Sequence, residues 1–243
     1  MMLIPSACGP APDGAPRQAG TAETAWMAPA RLDAVDFEAD GLIVTGTARP
    51  GDRVVLADPA GVSVAGSTGA DGRFSIRLAA PRAPVLYRAE IQSGRDEAHA
   101  GSWLILTPGP DPIAAVLTAG GAVRPLNGSA LLSGVDYDGA GLLVSGTAAP
   151  GAPVRVTLDD GPTHTAPVNA QGRYVARFPA VPPGPRRVRA AQGEQARSVV
   201  LALTAPSGEL VVSVTGAGAR IDWPTPGGGG QSTWIIGGAP GDG

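Results

Sequence analysis

The sequence predicts an all-β protein: two tandem β-sandwiches, each followed by a short β-hairpin extension. Three observations carry this. First, one segment is written twice, one hundred residues apart: Val35-Asp36-Phe37 and Gly41 to Gly51 return as Val135-Asp136-Tyr137 and Gly141 to Gly151. A repeat that long is a copied domain, not a single solenoid unit. Second, apolar and polar residues alternate with period two, as in Arg73-Phe74-Ser75-Ile76-Arg77-Leu78 and its counterpart Arg173-Tyr174-Val175-Ala176-Arg177-Phe178. Such alternation marks a strand with one buried face. Third, turn dipeptides punctuate these runs, and no segment keeps a helical period through its prolines.

In chain order, Leu42–Thr47 and Val54–Leu56 are expected strands, with Pro50-Gly51 turning between them. Proline presets φ and glycine takes the left-handed position that a type II turn requires. Val62–Ser67 follows, then Asp71-Gly72, a hairpin signal, then Arg73–Leu78, Val85–Ile91 and Trp103–Thr107. The second copy repeats the series, with Thr163–Val168, Arg187–Ala191 and Ser198–Thr204 completing it. About seven short strands per copy with frequent turns suit a sandwich. Ile113–Leu117 with Ala122–Arg124 reads as a hairpin appended to the first copy, and Leu210–Thr215 with Ala219–Trp223 as its counterpart. A last strand, Thr233–Ile236, follows the glycine run Gly227 to Gly230. The proline-rich joints at 108–112 and 125–128 are semi-rigid and are expected to hold the copies in an extended line.

Composition narrows the function classes. Aromatic residues are 4% of the 243, so the cores must be aliphatic. All 18 basic residues are arginine, yet the net charge is -3, and no broad basic field exists to attract nucleic acid. One cysteine, Cys8, precludes an intrachain disulfide. No apolar run reaches the roughly 18 residues of a membrane helix.

The amino end has a different character. Met1 to Gly9 is short and apolar, with Ser6-Ala7 before Cys8. It resembles the tail of a bacterial lipoprotein signal, in which small residues fit the signal peptidase and the cysteine is acylated. Pro5 stands where that pattern has an aliphatic residue, and the basic and full apolar regions of a signal are missing: either the start codon lies upstream of Met1 or the likeness is accidental, and the tract that follows favours the first expectation. Gly9 to Ala30 is a Gly/Pro/Ala tract suited to a tether. Cys8 is therefore the expected lipid-attachment site, and the lipid is the chain's one expected contact with a membrane.

The copies also resemble bacterial immunoglobulin-like repeats of exported proteins. The residues that carry the likeness are Val44-Thr45-Gly46-Thr47-Ala48-Arg49-Pro50-Gly51, then Val54-Val55-Leu56, then Ala70-Asp71-Gly72-Arg73-Phe74; in the second copy Gln171 replaces the aspartate. The likeness covers roughly residues 32–107 and 132–204. It implies export to the periplasm or outer membrane, a spacer or adhesive role, and no catalysis. The expected division is a signal-like end and tether at 1–30, immunoglobulin-like domains at 31–108 and 129–206, a hairpin linker at 109–128, and a hairpin with a Gly-rich tail at 207–243.

No catalytic residue can be named. His99 lies near Asp96 and Glu97 in an expected loop, and His164 lies in a strand facing water. Gly101-Ser102-Trp103 and Gly128-Ser129-Ala130 fall short of a nucleophile elbow. Asp36, Asp136 and Asp138 are weak calcium candidates, since carboxylates alternate there on one strand face; the plainer reading is a charged, solvated edge strand. Arg186-Arg187-Val188-Arg189 is the one dense basic stretch, without interleaved aromatics. Arg220, Asp222, Trp223, Gln231 and Trp234 form the last constellation. If their strands pair, the indoles either cap the second core or stack on a glycan. The expected function is that of a cofactor-free envelope lipoprotein serving as spacer, scaffold or interaction module, its partner an envelope protein or, alternatively, a cell-wall glycan bound through the tryptophans.

Overall fold

The computed structural model describes residues 29–93, 96–161, 163–215 and 218–237; of 93 and 96–101 it describes only the backbone. The chain is all-β. The first copy contributes β1 (Arg31–Phe37), β2 (Leu42–Thr47), β3 (Arg53–Ala57), β4 (Ser63–Ser67), β5 (Arg73–Leu78), β6 (Val85–Ser93) and β7 (Asp96–Leu106), then β8 (Ala114–Thr118) and β9 (Arg124–Pro125). The second contributes β10 (Gly134–Tyr137), β11 (Leu142–Thr147), β12 (Val154–Leu158), β13 (Thr163–Ala166), β14 (Arg173–Phe178), β15 (Gly184–Gln192) and β16 (Gln195–Leu203). β17 (Val211–Thr215), β18 (Gly218–Pro224) and β19 (Gly230–Ile236) follow.

These strands form four antiparallel sheets. Sheet I has the order β1-β2-β5, sheet II β4-β3-β6-β7-β8-β9, sheet III β14-β11-β10-β19-β18-β17 and sheet IV β13-β12-β15-β16. Alternation decides which side of each strand is dry. In β5 it is complete: Phe74, Ile76 and Leu78 are buried while Arg73, Ser75 and Arg77 face water. The Pro-Gly turns behave as the sequence requires, with φ of 84° at Gly51 and 91° at Gly151.

Three apolar clusters lie between the four sheets. The first joins Leu42, Val44, Phe74 and Ile76 of sheet I to Val54, Leu56, Leu104 and Leu106 of sheet II. The second joins Val135, Val144, Tyr174 and Trp234 of sheet III to Val156, Val188 and Leu201 of sheet IV. The third lies between sheets II and III. It packs Leu86, Ile105, Ala115 and Leu117 of the first copy, with Val123 beyond β8, against Ile221, Trp223 and Ile235 near the carboxyl end. The strands of sheets II and III that bound the third core, β8 and β19 above all, are thus dry on both faces, while β14 and β17 keep a wet face; the stack runs sheet, core, sheet, core, sheet, core, sheet.

Several sequence expectations are corrected here. The segment at 96–99 is not a loop but the start of β7, which pairs with β6 and sets His99 opposite Glu90. Its polar side chains hid the strand from a reading based on apolar alternation. The two appended hairpins are not equivalent. β8 and β9 extend sheet II, whereas β17, β18 and β19 extend sheet III through the edge of β10. The reason is visible in β19, where Trp234 and Ile236 belong to the second core and Ile235 to the third. A strand apolar on both faces is satisfied only between two layers. The carboxyl-terminal strand therefore pairs within the chain, in register with Gly134–Tyr137. The proline-rich joints do not set the copies in an extended line either, because the third core packs sheet II face to face on sheet III.

Candidate functional site

The richest polar arrangement lies at the junction of the two copies, inside the third core. Asp136, on β10, is 2% exposed. Its Oδ1 accepts from the Thr233 hydroxyl at 2.6 Å and from Gln231 Nε2 at 3.0 Å, and its Oδ2 accepts from the Val123 N–H at 2.7 Å. Thr233 Oγ1 in turn accepts from Trp223 Nε1 at 3.1 Å. Gln231 reaches into the turn after β8, where its Oε1 accepts from the Gly120 N–H at 2.9 Å. One carboxylate thus ties the β8–β9 segment of the first copy to β10 and β19 of the second. Gly134 allows this closeness: a Cβ there would lie 2.1 Å from Val123 Cγ1.

Burial raises the Asp136 pKa to about 6; the hydrogen bonds from Thr233, Val123 and Gln231 act in the opposite direction and hold it below what burial alone would impose. Both carboxylate oxygens accept from protein donors, so the buried group is hydrogen-bonded within the fold.

On the opposite face of sheet III, Arg220 lies over the Trp234 ring with its Cζ 5.1 Å from the centroid. Its Nη2 donates to Asp222 Oδ1 at 2.9 Å and to Ser232 Oγ at 3.1 Å. The indole of Trp223 is fully buried and that of Trp234 is 3% exposed. Neither offers an open ring face for a sugar to stack on, which corrects the picture of an exposed aromatic platform. Pairing of β18 with β19 does bring the constellation together, with Arg220 opposite Trp234, Asp222 opposite Ser232 and Trp223 opposite Gln231. It then divides between the two faces of one sheet: Trp223 and Gln231 serve the third core, and Arg220, Asp222 and Trp234 close the second.

The carboxylates considered for calcium do not converge. Asp36 is exposed on β1. Asp138 Oδ1 caps the turn before β11, accepting from the N–H of Ala140 at 2.9 Å and of Gly141 at 2.6 Å. Asp136 is engaged as described. Near Asp36, Arg77 pairs with Glu38 at 2.6 Å. Among the described residues no group of three or more His, Cys, Asp or Glu side chains is placed to hold a metal. His164 does not simply face water; its ring packs on Phe178 with centroids 4.3 Å apart. Arg187 and Arg189 share the exposed face of β15, while Arg186 donates to the Pro182 carbonyl at 3.0 Å. Cys8 and residues 9–28 of the expected tether lie outside the described residues, whereas Ala30 at its end is not tether but packs in the first core.

A second feature of the junction had no signal in the sequence. A cavity of about 830 Å³ opens beside the third core, lined by Arg31 and Asp33 of β1, Arg124 of β9 and Arg173 of β14. These residues are far apart in the chain and sit on separate strands, so no local pattern marks them. Thr233 and Val123, which complete the Asp136 network, were hidden for the same reason.

No helix among the described residues is long and apolar enough to cross a membrane. No curated protein matches the chain. The family comparison finds no enzyme family. A family model described as a bacterial Ig domain matches residues 28–85, and this stretch therefore carries a bacterial immunoglobulin-like domain.

Proposed function

We propose that this protein is a non-enzymatic component of the bacterial cell envelope, in which two immunoglobulin-like sandwiches act as a stiff spacer or scaffold that holds an interaction surface away from a membrane. The observation that carries this reading is the third core. A semi-rigid proline linker alone would still leave the copies free to move relative to one another. Here Leu117, Ile105, Ile221 and Trp223 pack across the joint, and the Asp136 network crosses it. Interfaces that are apolar and internally hydrogen-bonded resist relative domain motion. The polar groups that looked chemically promising are used to build the joint, which suits a mechanical part better than a catalyst.

Rigidity is directly testable. In a Cys8→Ser background, nitroxide labels at the exposed positions Val62, beside β4 of the first copy, and Val200, on β16 of the second, are expected to give one narrow distance distribution by pulsed electron resonance. A broad or bimodal distribution would remove the stiff-spacer role. Attachment is tested separately. A full-length clone grown with labelled palmitate is expected to incorporate label, and Cys8→Ser to lose it; equal labelling in both would end the lipid-anchored form of the proposal while leaving the spacer intact.

A further inference from the structure

The cavity beside the junction has a charge that the rest of the chain does not share. Its charged lining is Arg31, Arg124, Arg173 and the single carboxylate Asp33, an excess of positive charge in a protein whose net charge is -3. Asp33 is already paired with Arg31 at 2.8 Å. Arg124 is half-buried and donates through Nη2 to the carbonyl of Leu32, which meets a hydrogen-bonding need, while Asp33, already engaged by Arg31, compensates its charge only in part. The Arg173 side chain, also half-buried, has no carboxylate partner among the described residues. Desolvation, and then the proximity of Arg173 and Arg31, lower the Arg124 pKa against a smaller opposing effect of Asp33. Gathering like charges in a partly desolvated cleft costs free energy unless an anion joins them.

The rest of the lining fits the same occupant. Val116, Val123, Leu126 and Val175 supply apolar wall. The volume, about 830 Å³, is in the range of small-molecule sites, which favour domain junctions. Guanidinium groups are the side chains best suited to planar, bidentate binding of carboxylate and phosphate. We propose that this cleft is a binding site for a small multivalent oxyanion ligand, one that carries two or more carboxylate or phosphate groups beside an apolar portion. Arg173 and Arg124 form the main anion contacts, and Arg31 contributes from the rim. The site goes beyond the spacer role and does not depend on lipid attachment.

Calorimetric titration of the whole protein with citrate and with inorganic pyrophosphate, glycerol serving as uncharged control, tests the site and separates carboxylate from phosphate preference. At least one of the two anions is expected to bind saturably at one site, with affinity falling as salt is raised. Arg173→Gln is expected to weaken that binding at least about tenfold. Arg189→Gln, an equal charge change on the exposed face of β15, is expected to leave it unchanged. Arg31→Gln, at an exposed position, provides a second weakening variant should Arg173→Gln fail to fold. No saturable heat with either anion, or equal weakening by Arg189→Gln, would overturn the assignment.

Discussion

Asp136 shows how one residue acquires a role that its copy lacks. Asp36 occupies the same place in the first copy and is exposed on an edge strand. Asp136 became buried when β19 paired with β10 and the β8–β9 segment closed over it. The sign of its contribution follows from the raised pKa. Its folded value, about 6, lies above the roughly 3.9 of an unfolded aspartate. The protonated form is thus favoured in the folded state, and the stability it confers is complete below pH 4 and lost as pH rises through 6. The shift corresponds to about 3 kcal/mol. Asp136→Asn is neutral at every pH and cannot show this loss. Urea unfolding of both proteins is therefore expected to move by about that amount in favour of the asparagine variant between pH 4 and pH 7. A constant offset, from the amide facing the Val123 N–H, should be superimposed. Parallel pH curves would mean that the carboxyl group does not titrate in this way.

At the scale of elements, Trp223 is the largest side chain fully enclosed in the third core. Trp223→Ala is expected to cost about 3–5 kcal/mol, since it removes apolar area, leaves a cavity and deprives Thr233 of a donor. A cost below about 1 kcal/mol, measured by denaturant unfolding, would show that the junction collapses around the gap or is not formed. The same core explains which strands were readable. β5 and β14 lie with one face dry and one wet, so their alternation was plain in Arg73–Leu78 and Arg173–Phe178. β8 and β19 are dry on both sides, and a run such as Ala114-Ala115-Val116-Leu117 shows no period. It could be recognised as a strand from its turns but not assigned to a sheet. The partnership of β10 with β19 links residues nearly a hundred positions apart, and no local preference encodes it. For that reason Gln231 and Asp136 appeared as members of two unrelated constellations, and nothing in the sequence linked Arg31, Arg124 and Arg173.

For the molecule as a whole, the first and second cores share no residue, and the third touches both sheets that bound them. Melting one copy exposes the third core and so withdraws support from the other. Scanning calorimetry of the wild type is expected to show a single transition. Trp223→Ala, with the middle core weakened, is expected to resolve it into two. Two transitions in the wild type would show that the copies are energetically separate despite their contact. The repeat itself was legible from the sequence; that the copies lean on one another was not, because the contact surface is made from the segments that differ between them.

The enclosure of β8, in sheet II, and β19, in sheet III, also limits how a gene of this kind can grow. The facing surfaces of these strands are packed against each other, so an extra copy acquired by duplication has no place to insert between them without splitting the middle core. Sheets I and IV retain wetted outer faces, bearing Arg77 on one and Arg187 and Arg189 on the other. Enlargement of the array is thus confined to its two ends, and the central pair must be inherited as a block.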